Sequence, residues 1–255
     1  MIEVENLRLR LNGQPVLERV SLTARPGSVT VLLGPNGSGK TSLLLCLCAH
    51  YRPSQGEIRL CQQSLPSLSY RSLARLLAVV PQDHNPVFPY QVREVILLGR
   101  ISRVGFFSQP TGRDYELVED ILALLQIQHL ADKPYTRISG GERQLVLIGR
   151  CLAQEPQVLL LDEPTNHLDF KNQYAILKLI KELARQRNLT FLMTLHDPNM
   201  ALLFADHVIL LAEGRIVSQG HPLEVITPEN MAAIYHLDVE MVAAGPRRLV
   251  CPKNI

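Results

Sequence analysis

One stretch of the chain has the residue types and spacing to hold a polyphosphate. Gly34-Pro35-Asn36-Gly37-Ser38-Gly39-Lys40-Thr41, followed by Ser42, fits the pattern G-x-x-x-x-G-K-[ST]. Average residue usage would give such a match by chance in roughly one chain in a hundred of this size. Context lowers that figure, because the apolar run Val29–Leu33 precedes the loop and a helical stretch, Ser42–Ala49, follows it. The glycines let the backbone turn and approach an anion, so that successive N–H groups form a nest around phosphate oxygens. The positive end of the helix adds to the attraction. Lys40 is expected to bridge β- and γ-phosphates, and Thr41 to offer its hydroxyl to Mg²⁺.

Three further groups stand at the ends of apolar runs. Gln82 follows the run Arg75–Val80 and Pro81; Asp162 and Glu163 follow Val158–Leu161; His196 follows Leu189–Leu195. In an open α/β sheet the carboxyl ends of strands collect ligand groups on one edge. Asp162 there is expected to hold Mg²⁺, with Thr41 and Gln82 as further ligands. Glu163 is expected to orient or deprotonate an attacking water, and His196 to sense the terminal phosphate. Taken alone, the carboxylate pair could be a helix cap and His196 a solvated surface residue; their shared edge with the phosphate loop favours chemistry.

A second anion site is expected at Ser139-Gly140-Gly141-Glu142, which opens a helix of roughly 13 residues with Leu145, Ile148 and Leu152 on its apolar face. Ser139 and Glu142 have the spacing of a capping box. Spacing leaves open whether the two sites meet within one chain or between two.

The elements that must position these groups alternate between strand and helix. Ile2, Val4, Leu7, Leu9 and Leu11 alternate as in a strand, Asn12-Gly13 marks a turn, and Val16–Leu22 resumes the pattern. Gly56–Leu60 and a hairpin of Val208–Leu211 with Arg215–Ser218 add strands, and Tyr174–Arg187 is an amphipathic helix. Between them Val92, Val95, Ile96 and Leu98 suggest one helical face, and Leu117, Ile121, Leu124 and Leu125 another. The expectation is an α/β fold: a P-loop NTPase core with a mainly parallel sheet, an N-terminal antiparallel β region and an α-helical insertion. In one ATPase domain of 255 residues, 1–85 and 156–255 form the nucleotide-binding core and 86–155 the helical subdomain.

Composition narrows the class. Hydrophobic residues make up 46% and charged residues 20%, with a net charge of +2, which speaks against nucleic acid as a partner. The five Cys lack zinc-type spacing, and reduced thiols in the cytosol are expected. There is no apolar signal core at the start and no run long enough to cross a bilayer, so a membrane role has to come through a partner.

With these motifs in this order, the sequence resembles the ATP-binding subunit of an ABC transporter over nearly its whole length. Gly34–Thr41 corresponds to the Walker A loop, Gln82 to the Q-loop, Ser139–Gln144 to the signature segment, Val158–Glu163 to Walker B, Asn166–Asp169 to the D-loop and His196 to the switch histidine. The resemblance implies a head-to-tail homodimer with ATP between the P-loop of one copy and Ser139–Gly141 of the other. It makes Glu163 the general base, gives His196 the γ-phosphate, and has Asp169 link the two sites. It also implies a transmembrane permease dimer docked on the helical insertion, an external substrate-binding protein, and a peripheral place on the cytoplasmic face of the inner membrane.

Phe88–Arg100 resembles importers of iron chelates, haem and cobalamin, and molybdate importers are similar. The short C-terminal tail suggests no regulatory domain. A soluble ABC-type ATPase, such as an iron–sulfur assembly factor, is the alternative, and a non-hydrolysing interaction module is disfavoured by intact Lys40, Asp162, Glu163 and His196. The sequence departs from the family in two places. Ile138 stands where Leu is usual, and Leu11 where an aromatic stacks on adenine. Adenine is then expected to rest on aliphatic groups such as Val16, with relaxed base selectivity.

Overall fold

A computed structural model describes residues 1–82, 88–104 and 109–253. The chain opens with β1 (Ile2–Leu11) and β2 (Gln14–Ala24), joined by Asn12-Gly13 with φ of +50° and +78°, the tight turn that suits a twisted hairpin. Next come β3 (Val29–Leu33), α1 (Lys40–Leu47), β4 (Gln55–Leu60), β5 (Gln63–Ser64), α2 (Tyr70–Leu76) and β6 (Leu77–Val80). The helical stretch follows as α3 (Val92–Leu97), a 3-10 turn (Leu98–Ser102), α4 (Gly112–Leu124) and α5 (Gly140–Ala153). The chain then returns to the sheet as β7 (Val158–Leu161), α6 (Phe170–Arg187), β8 (Thr190–Thr194), α7 (Pro198–Phe204), β9 (His207–Ala212) and β10 (Arg215–Gly220). It closes with α8 (Pro222–Val225), α9 (Pro228–Tyr235) and the hairpin β11 (Val239–Ala244) and β12 (Arg247–Pro252).

The main sheet has the order β10-β9-β3-β8-β7-β6, parallel throughout except for β10. A four-stranded antiparallel sheet, β2-β1-β4-β5, covers one side. Alternation along the fully buried strands divides the core. Leu32, Leu160, Leu192 and Ile209 face α1 and the antiparallel sheet; Val31, Leu159, Leu161, Phe191 and Met193 face the helical layer formed by α5 and α6. Apolar runs buried on both faces are what a parallel sheet requires. The insertion leaves β6 and returns at β7, and those two strands are adjacent in the sheet.

Several expected boundaries shift for physical reasons. The run Arg75–Val80 does not start a strand until Leu77, because Ser69 caps α2, accepting from Ser72 N at 3.1 Å, and Arg75 and Leu76 belong to that helix. Leu98 leaves the buried face of Val92, Val95 and Ile96: the helix tightens to a 3-10 turn after Leu97, and Leu98 is 44% exposed. On α4 the buried stripe is Val118, Ile121, Leu122 and Leu125, with Leu117 and Leu124 at its margin. On α5 the buried residues are Gly141, Val146, Leu147, Ile148, Gly149, Cys151 and Ala153, while Leu145 and Leu152 are half-buried, because the helix is packed on more than one side. The expected boundary between residues 85 and 86 lies outside the described residues, as do His84, Pro86 and Val87 of the expected loop. No helix among the described residues is long and apolar enough to cross a membrane.

Candidate functional site

The phosphate loop turns directly from β3 into α1. Gly34 packs so closely on the end of β9 that a Cβ would lie 2.0 Å from the Leu211 carbonyl oxygen. Gly39 caps α1 at φ +104°, a conformation side chains oppose, and a Cβ there would press on Leu17 Cδ2 at 2.8 Å. The loop is tied outward through Gly214 N, which donates to Ser38 O at 3.1 Å. Ser38 Oγ is buried with no hydrogen-bond partner among the described residues. Lys40 is 6% exposed and folds back on the loop, donating to Gly34 O at 2.8 Å and Pro35 O at 3.0 Å. Burial pulls its pKa down; the carboxylates of Glu163 and Asp162 work the other way. A buried ammonium that bonds only to carbonyls is a cation in want of an anion.

Asp162 continues the register of β7, with its N–H on Val80 O at 3.0 Å. Its carboxylate is 7% exposed and accepts from Thr194 Oγ1 at 2.7 Å. The same Thr194 oxygen accepts from Glu163 N at 2.7 Å. Thr194, fully buried at the end of β8, thus fixes both carboxylate residues at once. Glu163 adopts φ +50°, a left-handed conformation that costs about 1–3 kcal/mol for a side-chain-bearing residue and is concentrated at functional sites. Its carboxylate gathers three partners. Gln82 Nε2 donates to Oε2 at 2.8 Å, Asn166 Nδ2 donates to the same oxygen at 3.2 Å, and His196 Nε2 closes on Oε1.

Of the expected residues, Val16, Asn36, Gly37, Gly39, Lys40, Thr41, Ser42, Gln82, Glu163 and His196 line one cavity of about 510 Å³. Gly34, Pro35, Ser38 and Asp162 are not part of that lining. The arrangement faces a cation and a helix N-terminus with a carboxylate held by two amides and an imidazole. It can bind a polyphosphate and present an oriented water to it. Two residues of the site carry little signal in the sequence: Asn166 stands out there only as part of the D-loop, and Thr194 reads as an ordinary strand residue.

Ser139, Gly140, Gly141, Glu142 and Asp169 do not line this cavity. The capping box forms as expected: Glu142 accepts from Ser139 N at 2.7 Å and Oγ at 2.7 Å, and these hydrogen bonds hold its carboxyl below the usual range. Gly141 is pinned beneath Asn172, where a Cβ would meet the side chain at 2.8 Å. Asp169 caps α6, accepting from Asn172 N at 2.8 Å. Asp169 and the capped start of α5 are therefore neighbours through Asn172, and neither lines this chain's P-loop cavity, which Asn166 at the other end of the same loop does.

The profile of the ABC transporter family matches residues 17–166. The chain is 39% identical over 247 residues to the hemin import ATP-binding protein HmuV of Shewanella denitrificans, covering 95% of this chain and 96% of that one. It is 33% identical over 243 residues to a probable iron chelatin transport ATP-binding protein of Helicobacter pylori, covering 95% of each. Among solved structures it superposes on an inward-facing transporter assigned to the metal-chelate ABC type, with a TM-score of 0.88, 31% identity, and 99% and 97% of the two chains covered. The chain that holds the cavity built around Lys40 and Glu163 thus belongs to the ABC transporter family, among its ATP-binding subunits.

Proposed function

We propose that this chain hydrolyses ATP between two copies of itself to drive import of haem or an iron chelate through a membrane permease. The observation that carries the reading is the convergence of Gln82, Asn166 and His196 on Glu163, across the cavity from Lys40. Glu163 is the base, held so that an oxygen faces the attacking water; His196 shares that carboxylate and reaches the γ-phosphate when the proton moves. Lys40 moves from the loop carbonyls to the β- and γ-phosphates as ATP enters.

Thr41, Gln82 and Asp162 offer a hydroxyl, an amide oxygen and a carboxylate, the hard oxygen donors that suit Mg²⁺. Among the described residues only Thr194 is bonded to the Asp162 carboxylate, so one of its oxygens is free for a metal or its water. When bound, Mg²⁺ neutralises charge on the phosphate oxygens. Ser139, Gly140, Gly141 and Glu142 of a second copy complete the site, and Asp169 links the two.

The permease docks in a groove of about 960 Å³ between α2 and the helical insertion, with Tyr70, Tyr90, Leu98 and Ile101 along it. Apolar side chains this exposed, with Ile101 69% and Tyr70 84% accessible, are expected where a partner covers them. The chain then sits on the inner face of the membrane, and an external binding protein delivers the cargo. The relatives described above are named for hemin and iron chelatin, so the reading narrows to those chelates and sets molybdate aside. Co-purification tests it: the chain should come out of membranes with a hydrophobic permease dimer, and vesicles holding both, with the external binding protein supplied outside, should take up hemin only with ATP inside. A chain that stays soluble without a membrane partner would sink the reading.

The base site carries its own expectation. Val16 lines the cavity and Leu11 does not. An aliphatic platform discriminates weakly between bases. GTP turnover should lie within about tenfold of ATP turnover, measured as kcat/KM for each nucleotide; a strong ATP preference speaks against this base site.

A further inference from the structure

The permease groove and the nucleotide cavity are lined by different residues, yet one cluster ties the groove floor to both parts of the chain. Arg100 lies in the 3-10 turn after α3 and is 9% exposed. Its Nε donates to Asp114 Oδ1 at 2.7 Å, and its Nη1 donates to Ala153 O at 2.7 Å and Glu155 Oε2 at 2.7 Å. Arg103, three residues on, donates to Gln154 O at 3.1 Å and Glu155 O at 2.8 Å. Gly99 lets the turn lie flat on α5, since a Cβ would stand 2.1 Å from Arg150 O. From the other side Gln154 Nε2 donates to Leu77 O at 2.6 Å and to the Ala74 carbonyl, in β6 and α2. The groove floor, the C-terminal end of α5 and the edge of the core sheet thus meet where the insertion returns to the core.

A joint so tied resists bending. A largely buried guanidinium with carboxylate and carbonyl partners cannot lose one without leaving charge uncompensated. The turn and the end of α5 therefore move together. The 14 residues of α5 make a lever of about 21 Å. Tilting it by about 5° at the joint carries Ser139, at the far end, by about 2 Å. That distance separates a made phosphate hydrogen bond from a broken one. On the core side, β6 leads to Gln82, which is bonded to Glu163.

We propose that Arg100, clamped by Asp114 and Glu155, is a positioning residue that converts occupancy of the groove into the angle of α5, and so into the placement of Ser139–Gly141 over ATP. This rests on the reading that a permease segment fills the groove. Asp114 and Glu155 lie outside both the groove lining and the nucleotide cavity, so their variants test the joint alone.

The test compares Asp114→Asn, Glu155→Gln and the parent chain, each assayed alone and with the co-purified permease dimer in lipid nanodiscs. Basal ATPase of the isolated chain should stay within about twofold, while stimulation by the permease falls about tenfold. Glu155 is half-exposed, with 49% of its side chain accessible, so its variant remains informative if Asp114→Asn, which also loses part of the α4 cap, fails to fold. Undiminished stimulation in folded variants that still bind the permease overturns the proposal. Ile101→Glu, in the groove itself, separates the two ideas: it should abolish permease binding, and retained binding overturns the docking reading and the proposal with it.

Discussion

Glu163→Gln is expected to lower ATP turnover by about 10²–10⁴-fold with nucleotide affinity nearly unchanged. The substitution preserves shape while removing the negative charge, one acceptor oxygen and the capacity to take a proton. Gln82 Nε2 can still donate to the side-chain oxygen, so the loop that carries Gln82 keeps its anchor. Lys40 and the phosphate loop are untouched, and the Thr194 hydroxyl still receives residue 163's N–H. The left-handed backbone at this position suits Gln as well as Glu. The loss should therefore fall on kcat rather than on binding, the mark of a group that acts in the transition state. Blocked hydrolysis should also trap ATP between two chains, so the variant should elute as a dimer with ATP and a monomer with ADP. Unchanged turnover would refute the assignment of the base.

The contrast between what could be read and what could not follows from sequence separation. The phosphate loop, the capping box at Ser139 and Glu142, and the strand-end carboxylates each depend on a few neighbouring residues. Their chemistry is written locally, and the structure brings the strand-end groups to one edge because parallel strands all point the same way. Thr194 is different. Its bonds to Asp162 and Glu163 span 32 and 31 residues, and nothing in its own surroundings distinguishes it from any strand threonine.

The Arg100 joint is hidden for the same reason, since it reaches 14, 53 and 55 residues along the chain. Periodicity assumes one helix type and so puts Leu98 on the buried face, whereas a single tightened turn rotates its side chain out of the core. The C-terminal region carries local signals as well: Thr227 and Pro228 start α9 as a cap and first helical residue. The closing hairpin is secured instead by Asn199, which exchanges hydrogen bonds with both backbone groups of Val250 across 51 residues.

Mixing two inactive chains should restore hydrolysis if the site is shared. Lys40→Ala removes the cation that holds the phosphates. Gly141→Asp places a carboxylate at the second anion site, where even a Cβ would collide with Asn172, and repels the phosphate. Each variant alone should turn over ATP about 10²-fold more slowly than the parent, a loss typical of removing one phosphate-stabilising element. Both composite sites of either homodimer are damaged. A two-fold dimer of one of each is not equivalent: its first site joins the intact P-loop of the Gly141→Asp chain to the intact signature of the Lys40→Ala chain, and its second site carries both lesions. Random pairing makes about half the dimers mixed, each with one of two sites intact, so activity should recover to about a quarter of the parent's. The Gly141→Asp chain should still bind ATP by itself, because Gly141 is absent from its own cavity wall. A site completed within one chain predicts no recovery at any mixing ratio, since every chain then carries a defect in its only site.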